Sequence, residues 1–128
     1  MVQQVTKGIK ISVQSRYEGV LDQGSRKMFA FSYRITIENN SPDTVQLLSR
    51  FWEINDALNS VQTVSGQGVI GIKPVLEPGE SHSYSSGCML LSPVGLMKGY
   101  YTMINFNSRK AFKVTIPAFR LVGTFALN

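Results

Sequence analysis

Strict alternation of apolar and polar side chains in residues 29–38 is the feature that most restricts the fold of this chain. The segment reads FAFSYRITIE, with an apolar or aromatic residue at every odd position and a small, polar or charged residue at every even position. A period of two is typical of a β-strand that has one face in a core and the other in water. The turn-forming residues NNSPD at 39–43 then end the predicted strand.

Further β-prone segments follow the same principle along the chain. They lie around residues 9–13, 45–54, 60–65, 80–90, 99–106 and 112–116, and no segment keeps helical periodicity over three turns. The pattern predicts an all-β fold, an immunoglobulin-like or fibronectin type III-like antiparallel β-sandwich of about seven to eight strands. Trp52 in a mid-chain strand fits such a core, and the absence of a cysteine pair favours the fibronectin type III variety.

Length and composition indicate a single domain spanning residues 1–128 that can bury a core without disulfides or metal. No apolar run reaches the roughly 18 residues that a membrane-spanning helix needs. The N-terminal MVQQVTKGIK lacks the apolar core of a signal peptide, and Cys88 is the single cysteine. We therefore expect a cytoplasmic protein with no membrane insertion.

The net charge of +5 comes from dispersed lysines and arginines, with a local cluster only at Arg109, Lys110 and Lys113. A basic surface attracts acidic proteins or nucleic acid. Because no nucleic-acid recognition motif accompanies the cations, the sequence favours a solvated basic surface and no specific nucleic-acid site.

The glycines Gly66, Gly68 and Gly71 match the pattern G-x-G-x-x-G, which in dinucleotide-binding folds forms a phosphate cradle between a strand and a helix. Here Pro74 stands where the helix would begin, and the residue before a proline avoids helical geometry. The sequence therefore predicts an irregular loop in which glycine supplies positive φ. Pro78-Gly79 further on predicts a type II turn.

Candidate chemistry outside this loop is sparse. His82 is the only histidine, no nucleophile elbow is present, and the neighbouring serines at 81, 83, 85 and 86 are predicted to point outward. One cysteine and one histidine exclude a zinc site, and the acidic pairs do not form an EF-hand loop. We expect no catalytic residue, no metal site and no cofactor, hence a non-enzymatic protein.

Tyr100 and Tyr101 are consecutive and should place one ring on each face of a strand. A solvent-facing aromatic ring near Arg109 and Lys110 could pack on a partner, so both tyrosines are candidates for a partner surface. Ordinary β-propensity is the simpler explanation of the same residues.

Four segments of the chain are distinctive, namely RFWEIND at 50–56, GQGVIGIKPVLEPGESHSYSSG at 66–87, MKGYYTMI at 97–104 and IPAFRL at 116–121. Through these segments the pattern as a whole, over residues 8–121, resembles the bacterial ApaG family. The resemblance implies a fibronectin type III-like sandwich and a link to cobalt resistance and magnesium efflux, which a domain without a transmembrane path could serve only indirectly. Similar domains in eukaryotic F-box and polymerase-interacting proteins look like protein-recognition modules, and pyrophosphate binding has been suggested for the family's glycine motif.

Two functional hypotheses follow. The first is a module that binds a protein partner of unknown identity through its edge strands and the 66–74 loop, whose amides are expected to be accessible. Its site residues would be Gly66, Gly68, Gly71 and Lys73, with Tyr100 or Tyr101 on the adjacent surface, and an exposed edge would also permit a homodimer. The alternative is an anion or nucleotide pyrophosphate sensor in which the loop amides and Lys73 meet phosphate.

Overall fold

The structure is a computed structural model that describes residues 1–123. Within this range the chain forms nine strands: β1 (Val2–Thr6), β2 (Ile9–Gln23), β3 (Arg26–Asn39), β4 (Val45–Asp56), β5 (Gln62–Gln67), β6 (Val75–Leu76), β7 (Ser81–Leu90), β8 (Val94–Asn105) and β9 (Ala111–Val122). No helix in residues 1–123 is long and apolar enough to span a membrane.

The strands form two antiparallel sheets. The first has the order β1-β2-β3-β7, and the second has the order β5-β4-β8-β9, with β6 paired to the start of β4. The all-β sandwich predicted from the alternation is confirmed. The described chain has nine strands, whereas the sequence predicts seven to eight. The difference arises because β1 has five residues and β6 has two, which is too few to show a clear alternation of apolar and polar residues.

The core lies between the sheets and contains the alternating positions of β3, with Ile35 and Ile37 fully buried. Trp52 of β4 joins the two layers, since its ring lies 5.5 Å from Tyr33 of the first sheet and 5.9 Å from Phe119 of the second. Tilted and edge-on ring contacts of this kind add to the burial of large apolar surfaces.

A register shift between Leu47 and Ser49, where β4 pairs with β8, changes which β4 residues face the core. Val45 and Leu47 are buried before the shift, and Trp52 is buried after it. A β-bulge inverts the alternation in this way. As a result Arg50, two residues before Trp52, also points between the sheets.

The turns at the end of β3 are fixed by hydrogen bonds. The buried Asn39 amide donates to the carbonyl oxygens of Asp43 and Leu76, and its oxygen accepts from Ser41 N–H and Oγ–H. The predicted type II turn is confirmed, since Gly79 has φ 87° and Glu80 N–H donates to the Glu77 carbonyl at 2.9 Å.

The two long sides of the sandwich differ. On one side, here called the closed flank, β1 and β2 pack beside β9. There Thr115 N–H donates to Thr6 Oγ1 at 3.3 Å and Ser15 Oγ–H donates to the Arg120 carbonyl at 3.4 Å. On the other side, here called the open flank, the β7 edge of the first sheet lies opposite the β5 edge of the second, and the candidate site lies between them.

Candidate functional site

The glycine motif forms a tight hairpin at the open flank. Val69 N–H donates to the Ile72 carbonyl at 2.8 Å, and Ile72 N–H donates back to the Val69 carbonyl at 3.1 Å. The two central residues, Ile70 and Gly71, both have positive φ, at 45° and 76°. These features define a type I′ turn, which matches the twist of the strands on either side. Residues 69–72 are called the I′ hairpin below.

Gly68 enters this hairpin in a conformation that only glycine adopts easily. Its φ is 64°, and a Cβ placed there would collide with the carbonyl oxygen of Ile72. Gly68 thus allows the backbone to fold closely onto itself, and the predicted positive φ is found at Gly68 and Gly71.

Gly66 does not belong to the loop, which corrects the sequence-based assignment. It lies within β5 opposite Arg50 of β4, because the pairing of the two strands continues to Gln67. A Cβ at Gly66 would lie 2.7 Å from Nη2 of Arg50 and 2.8 Å from its Cζ and Nη1. The missing side chain therefore makes room for the arginine head group.

The hydrogen bonds around Arg50 have the opposite polarity to a phosphate cradle. Its Nη1 donates to the carbonyl oxygens of Gln67 at 3.0 Å and Gly68 at 2.9 Å. The amides of Gly68, Val69 and Ile72 donate to backbone carbonyls, so the expectation that the loop offers accessible amides is wrong for these three. The segment presents carbonyls to an internal cation, whereas a phosphate cradle presents amides to an anion.

Arg50 lines a partly open cavity of about 210 Å³ between the sheets. Tyr33 of β3 and the β7 residues Tyr84 and Ser86 form one wall, while Trp52, Gln67 and residues 69–71 form the other. The inward position of Ser86 corrects the expectation that all four serines of β7 point outward. Tyr33, Tyr84, Ser86 and Arg50 thus bring polar atoms to a gap in an otherwise apolar core.

Burial keeps the tyrosines of this region protonated. It raises the pKa of Tyr33, and raises more strongly that of Tyr84 and Tyr101, while the nearby Arg50 charge acts in the opposite direction on all three. The hydroxyls of Tyr84 and Tyr101 are hydrogen-bonded to each other. All three hydroxyls therefore remain hydrogen-bond donors at neutral pH.

Lys73 lies just beyond the I′ hairpin and is exposed. Its carbonyl oxygen accepts from Gln46 Nε2 at 3.1 Å, and Lys73 is not part of the cavity wall described above. The structure thus separates the four predicted loop residues, because Gly66 lies beside Arg50, Gly68 and Gly71 shape the hairpin, and Lys73 faces solvent.

Tyr100 and Tyr101 of β8 lie on opposite faces of the second sheet, because successive side chains of a strand alternate. Tyr100 lies on the outer face, where its ring stacks on Phe51 at 5.1 Å and Lys113 Nζ lies 4.5 Å from the ring centroid. Tyr101 is completely buried, so its assignment to a partner surface is corrected. Tyr100, which is half-buried, remains the candidate of the pair for a partner surface.

Exposed apolar side chains cluster in sequence on and after the I′ hairpin. Ile70 is 63% exposed, Ile72 48% and Val75 46%, all within six residues of one another at the open flank. Neither Ile70 nor Arg50 is among the site residues predicted from the sequence. Each has a signal, because an isoleucine before the glycine of a two-residue turn is unusual and Arg50 is a charged residue that interrupts the apolar run 45–54.

Cys88, by contrast, has the features of an unreactive residue. Burial, with a smaller contribution from the Asp56 charge, raises the pKa of its thiol to about 11. Since the thiolate is the nucleophilic form, little of it exists at neutral pH.

The fold and the site together describe a two-sheet fibronectin type III-like sandwich with an arginine-lined cavity at one flank. A family model for the ApaG domain matches residues 21–105. The Protein ApaG of Brucella canis is 46% identical over 121 residues, which are 94% of this chain and 92% of that protein. That of Brucella anthropi is 47% identical over the same length. The chain belongs to the ApaG family.

Two solved structures extend the similarity to the fold. The crystal structure described as the putative ApaA protein of Bordetella pertussis superposes with a TM-score of 0.83 at 37% identity, over 91% of this chain and 94% of that one. The X-ray structure of the structural genomics target SoR45 gives a TM-score of 0.86 at 33% identity, over 91% and 88%.

Proposed function

We propose that this protein is a non-enzymatic protein-recognition module of the cytoplasm that binds an extended segment of a partner at the open flank. The observation that carries this proposal is Ile70. A β-branched residue at φ 45° is strained, since the left-handed region costs an L-residue about 1–2 kcal/mol. The same side chain is 63% exposed, so burial in the core does not offset the strain.

Strain at an exposed apolar residue is typical of a binding surface, because the surrounding fold maintains it for a purpose other than stability. Asparagine, aspartate and glycine are the residues that a type I′ turn prefers at this position. An isoleucine there supplies an apolar contact that none of these three could supply.

The neighbouring edge of the first sheet supports an extended partner. β7 has ten residues, and none of them is lysine, arginine, aspartate, glutamate or proline. Charges and prolines are the usual means by which an edge strand is protected from pairing with another chain. An added strand would bond to the β7 backbone and bring its side chains against Ile70 and the cavity.

The positive net charge of +5 favours an acidic partner segment, because complementary charge increases the rate of encounter. Any role in cobalt or magnesium homeostasis would then be exerted through the partner. The anion or pyrophosphate sensor has less support, since Gly68, Val69 and Ile72 use their amides internally and Lys73, the cation assigned to phosphate, does not line the cavity.

The substitution Ile70→Asn tests the proposal because it is expected to increase the stability of the protein and to abolish binding of the partner. Asparagine tolerates positive φ, so the variant should be more stable than the wild type by about 1 kcal/mol in urea unfolding. It should nevertheless lose the partner. A loss of binding together with a gain in stability could not be attributed to unfolding.

Binding is measured by affinity capture from cell extract with three baits, namely the wild type, Ile70→Asn and Leu58→Asn. Leu58 is 68% exposed but lies in the turn after β4, so it controls for the removal of an exposed apolar side chain elsewhere. We expect a protein retained by the wild type and by Leu58→Asn but lost from Ile70→Asn. On addition of that protein, the β7 amides should become protected from hydrogen exchange. Retention of the same proteins by Ile70→Asn would refute the site.

A further inference from the structure

We infer that the cavity at Arg50 is a carboxylate-binding pocket that accepts one aspartate or glutamate side chain of the bound partner segment, an inference that rests on the proposed binding of a strand at β7. The carboxylate would meet the guanidinium of Arg50 and the hydroxyls of Tyr33, Tyr84 and Ser86.

Arg50 carries a positive charge that no ion pair within residues 1–123 neutralises. Its side chain is half-buried, and within residues 1–123 the ion pairs involve Lys10, Arg16 and Lys98 but not Arg50. Two backbone carbonyls accept from Nη1, yet they carry no charge to balance the cation. Because charges withdrawn from water are normally paired, this arginine is arranged for an anion that is supplied from outside.

Three features of the fold hold the guanidinium of Arg50 in one position. The bulge at Leu47–Ser49 turns Arg50 inward, Gly66 leaves space for its head group, and the carbonyls of Gln67 and Gly68 fix Nη1. An arginine whose orientation is fixed before binding can form a bidentate pair with a carboxylate at lower entropic cost.

The volume of the Arg50 cavity limits which ligands can enter it. Pockets for drug-sized ligands enclose about 300–1,000 Å³. The Arg50 cavity is about 210 Å³, which is small for a nucleotide and appropriate for a single side chain. The guanidinium of Arg50 can only donate, and the hydroxyls that share the cavity can donate as well as accept, so an ionised carboxylate, which only accepts, suits this set of groups.

The geometry of strand addition connects the pocket to the partner. Tyr84 and Ser86 are two apart on β7 and line the same cavity. Every second side chain of a strand added to β7 would point the same way, into the gap between the sheets. Tyr101 is fully buried and can donate to Tyr84, which leaves the Tyr84 proton for the incoming carboxylate.

The experiment is an NMR titration that needs no identified partner. The side-chain Nε–Hε signal of Arg50, assigned by its loss in Arg50→Lys, is followed during addition of N-acetyl-glutamate N-methylamide. The same titration is repeated with the uncharged N-acetyl-glutamine N-methylamide and with inorganic phosphate. We expect saturable binding of the glutamate probe that is at least tenfold tighter than that of the glutamine probe, since hydrogen bonds to charged groups are the stronger ones.

A matched variant distinguishes a built pocket from a nearby positive charge. Gly66→Ala keeps Arg50, but its new methyl group would displace the guanidinium, which is the flexible end of the side chain and can move without unfolding β5. This variant should lose the preference for the glutamate probe. The exposed Arg34 on β3 serves as the internal reference and should respond equally weakly to both amide probes.

Equal responses to the glutamate and glutamine probes, or an unchanged preference in Gly66→Ala, would overturn the pocket. Saturation by phosphate without binding of the glutamate probe would overturn it in favour of a free small anion. These outcomes are independent of the Ile70→Asn capture experiment. The NMR titration can therefore refute the carboxylate pocket without refuting the recognition site, and the capture experiment can refute the recognition site without refuting carboxylate binding at Arg50.

Discussion

The closed and open flanks of the sandwich differ in how well their strand edges are protected. Each flank ends two sheets and therefore has exposed strand edges, which invite pairing with other chains. The closed flank protects its edges, because β1 has only five residues and β9 carries Lys113, Pro117 and Arg120. Hydrogen bonds from Thr115 to Thr6 and from Ser15 to Arg120 also join its two sheets.

The open flank has few of these protections. The ten residues of β7 carry neither formal charge nor proline, and the I′ hairpin beside them exposes a strained isoleucine. Between the edges lies a cavity that contains Arg50, which forms no ion pair within residues 1–123. Positive φ at a non-glycine residue also occurs elsewhere, at Lys7 and Arg109, but both of those are polar residues. The open flank differs because its strained residue is an exposed isoleucine that lies beside a half-buried arginine, a combination expected to serve binding.

The largest effect on the open flank is expected from Gly68→Ala. Gly68 and Gly71 have similar positive φ, at 64° and 76°, but a Cβ meets the Ile72 carbonyl only at Gly68 and has open space at Gly71. We expect urea unfolding to show a loss of about 3 kcal/mol for Gly68→Ala and about 1 kcal/mol for Gly71→Ala. Equal losses would mean that the tight approach of the hairpin backbone contributes nothing.

The second effect concerns the tyrosine pair behind the cavity. Tyr84→Phe leaves the fully buried Tyr101 hydroxyl without the partner that it has in the wild type, which should cost about 2 kcal/mol. The double variant Tyr84→Phe/Tyr101→Phe removes both hydroxyls and should be more stable than Tyr84→Phe alone. Urea unfolding of the three proteins measures the difference, and a double variant less stable than the single one would contradict this assignment.

The same buried groups predict sensitivity to alkali. Burial raises the pKa of Tyr84 and Tyr101 above 10.0 and that of Cys88 from 9.0 to about 11. The unfolded chain therefore releases these protons first. Their stability contribution should be fully present below pH 9 and should fall above it, by up to about 1.4 kcal/mol per pH unit for each proton.

Unfolding midpoints measured between pH 7 and pH 11 test this expectation. The curve should be flat with respect to these groups up to about pH 9 and then descend. The double phenylalanine variant should descend less steeply than the wild type, because its two positions no longer titrate. A wild type and a double variant with the same alkaline slope would show that the tyrosines do not cause the loss.

Much of the fold could be predicted from local periodicity. The alternation in 29–38 identified the buried face of β3, and the Pro78-Gly79 pair identified the turn between β6 and β7, because both signals depend on neighbouring residues alone. The boundaries of β2 could not be predicted, since it continues past the apolar residues 9–13 to Gln23 as the partner of β3 in a long hairpin. Pairing of this kind depends on the opposite strand.

The candidate site was much less accessible to sequence reasoning. The G-x-G-x-x-G spacing located the correct segment but suggested that its backbone amides bind an anion, whereas its carbonyls bind the cation of Arg50. Arg50 belongs to another strand, and only the register of β4 with β5 places it opposite Gly66. The side chain of Arg50 points inward because of a β-bulge in β4, and no local sequence pattern predicts that bulge. The cavity is formed by residues from both sheets, so it exists only once the sandwich is assembled.

The smallest predicted effect lies on the closed flank and tests whether its hydrogen bonds hold the two sheets together locally. Thr6→Val keeps a branched side chain but removes the acceptor of Thr115 N–H, a bond of 3.3 Å at the surface. Water can replace a partner there, so we expect a loss of only about 0.5 kcal/mol, near the lower limit for a hydrogen bond. Native-state hydrogen exchange should show the Thr115 amide exchanging about twofold faster, while Val69 and Ile72 in the I′ hairpin are unchanged. A matching acceleration at Val69 and Ile72 would mean that the two flanks open as one unit, and the contrast between them would then be one of surface chemistry rather than of local stability.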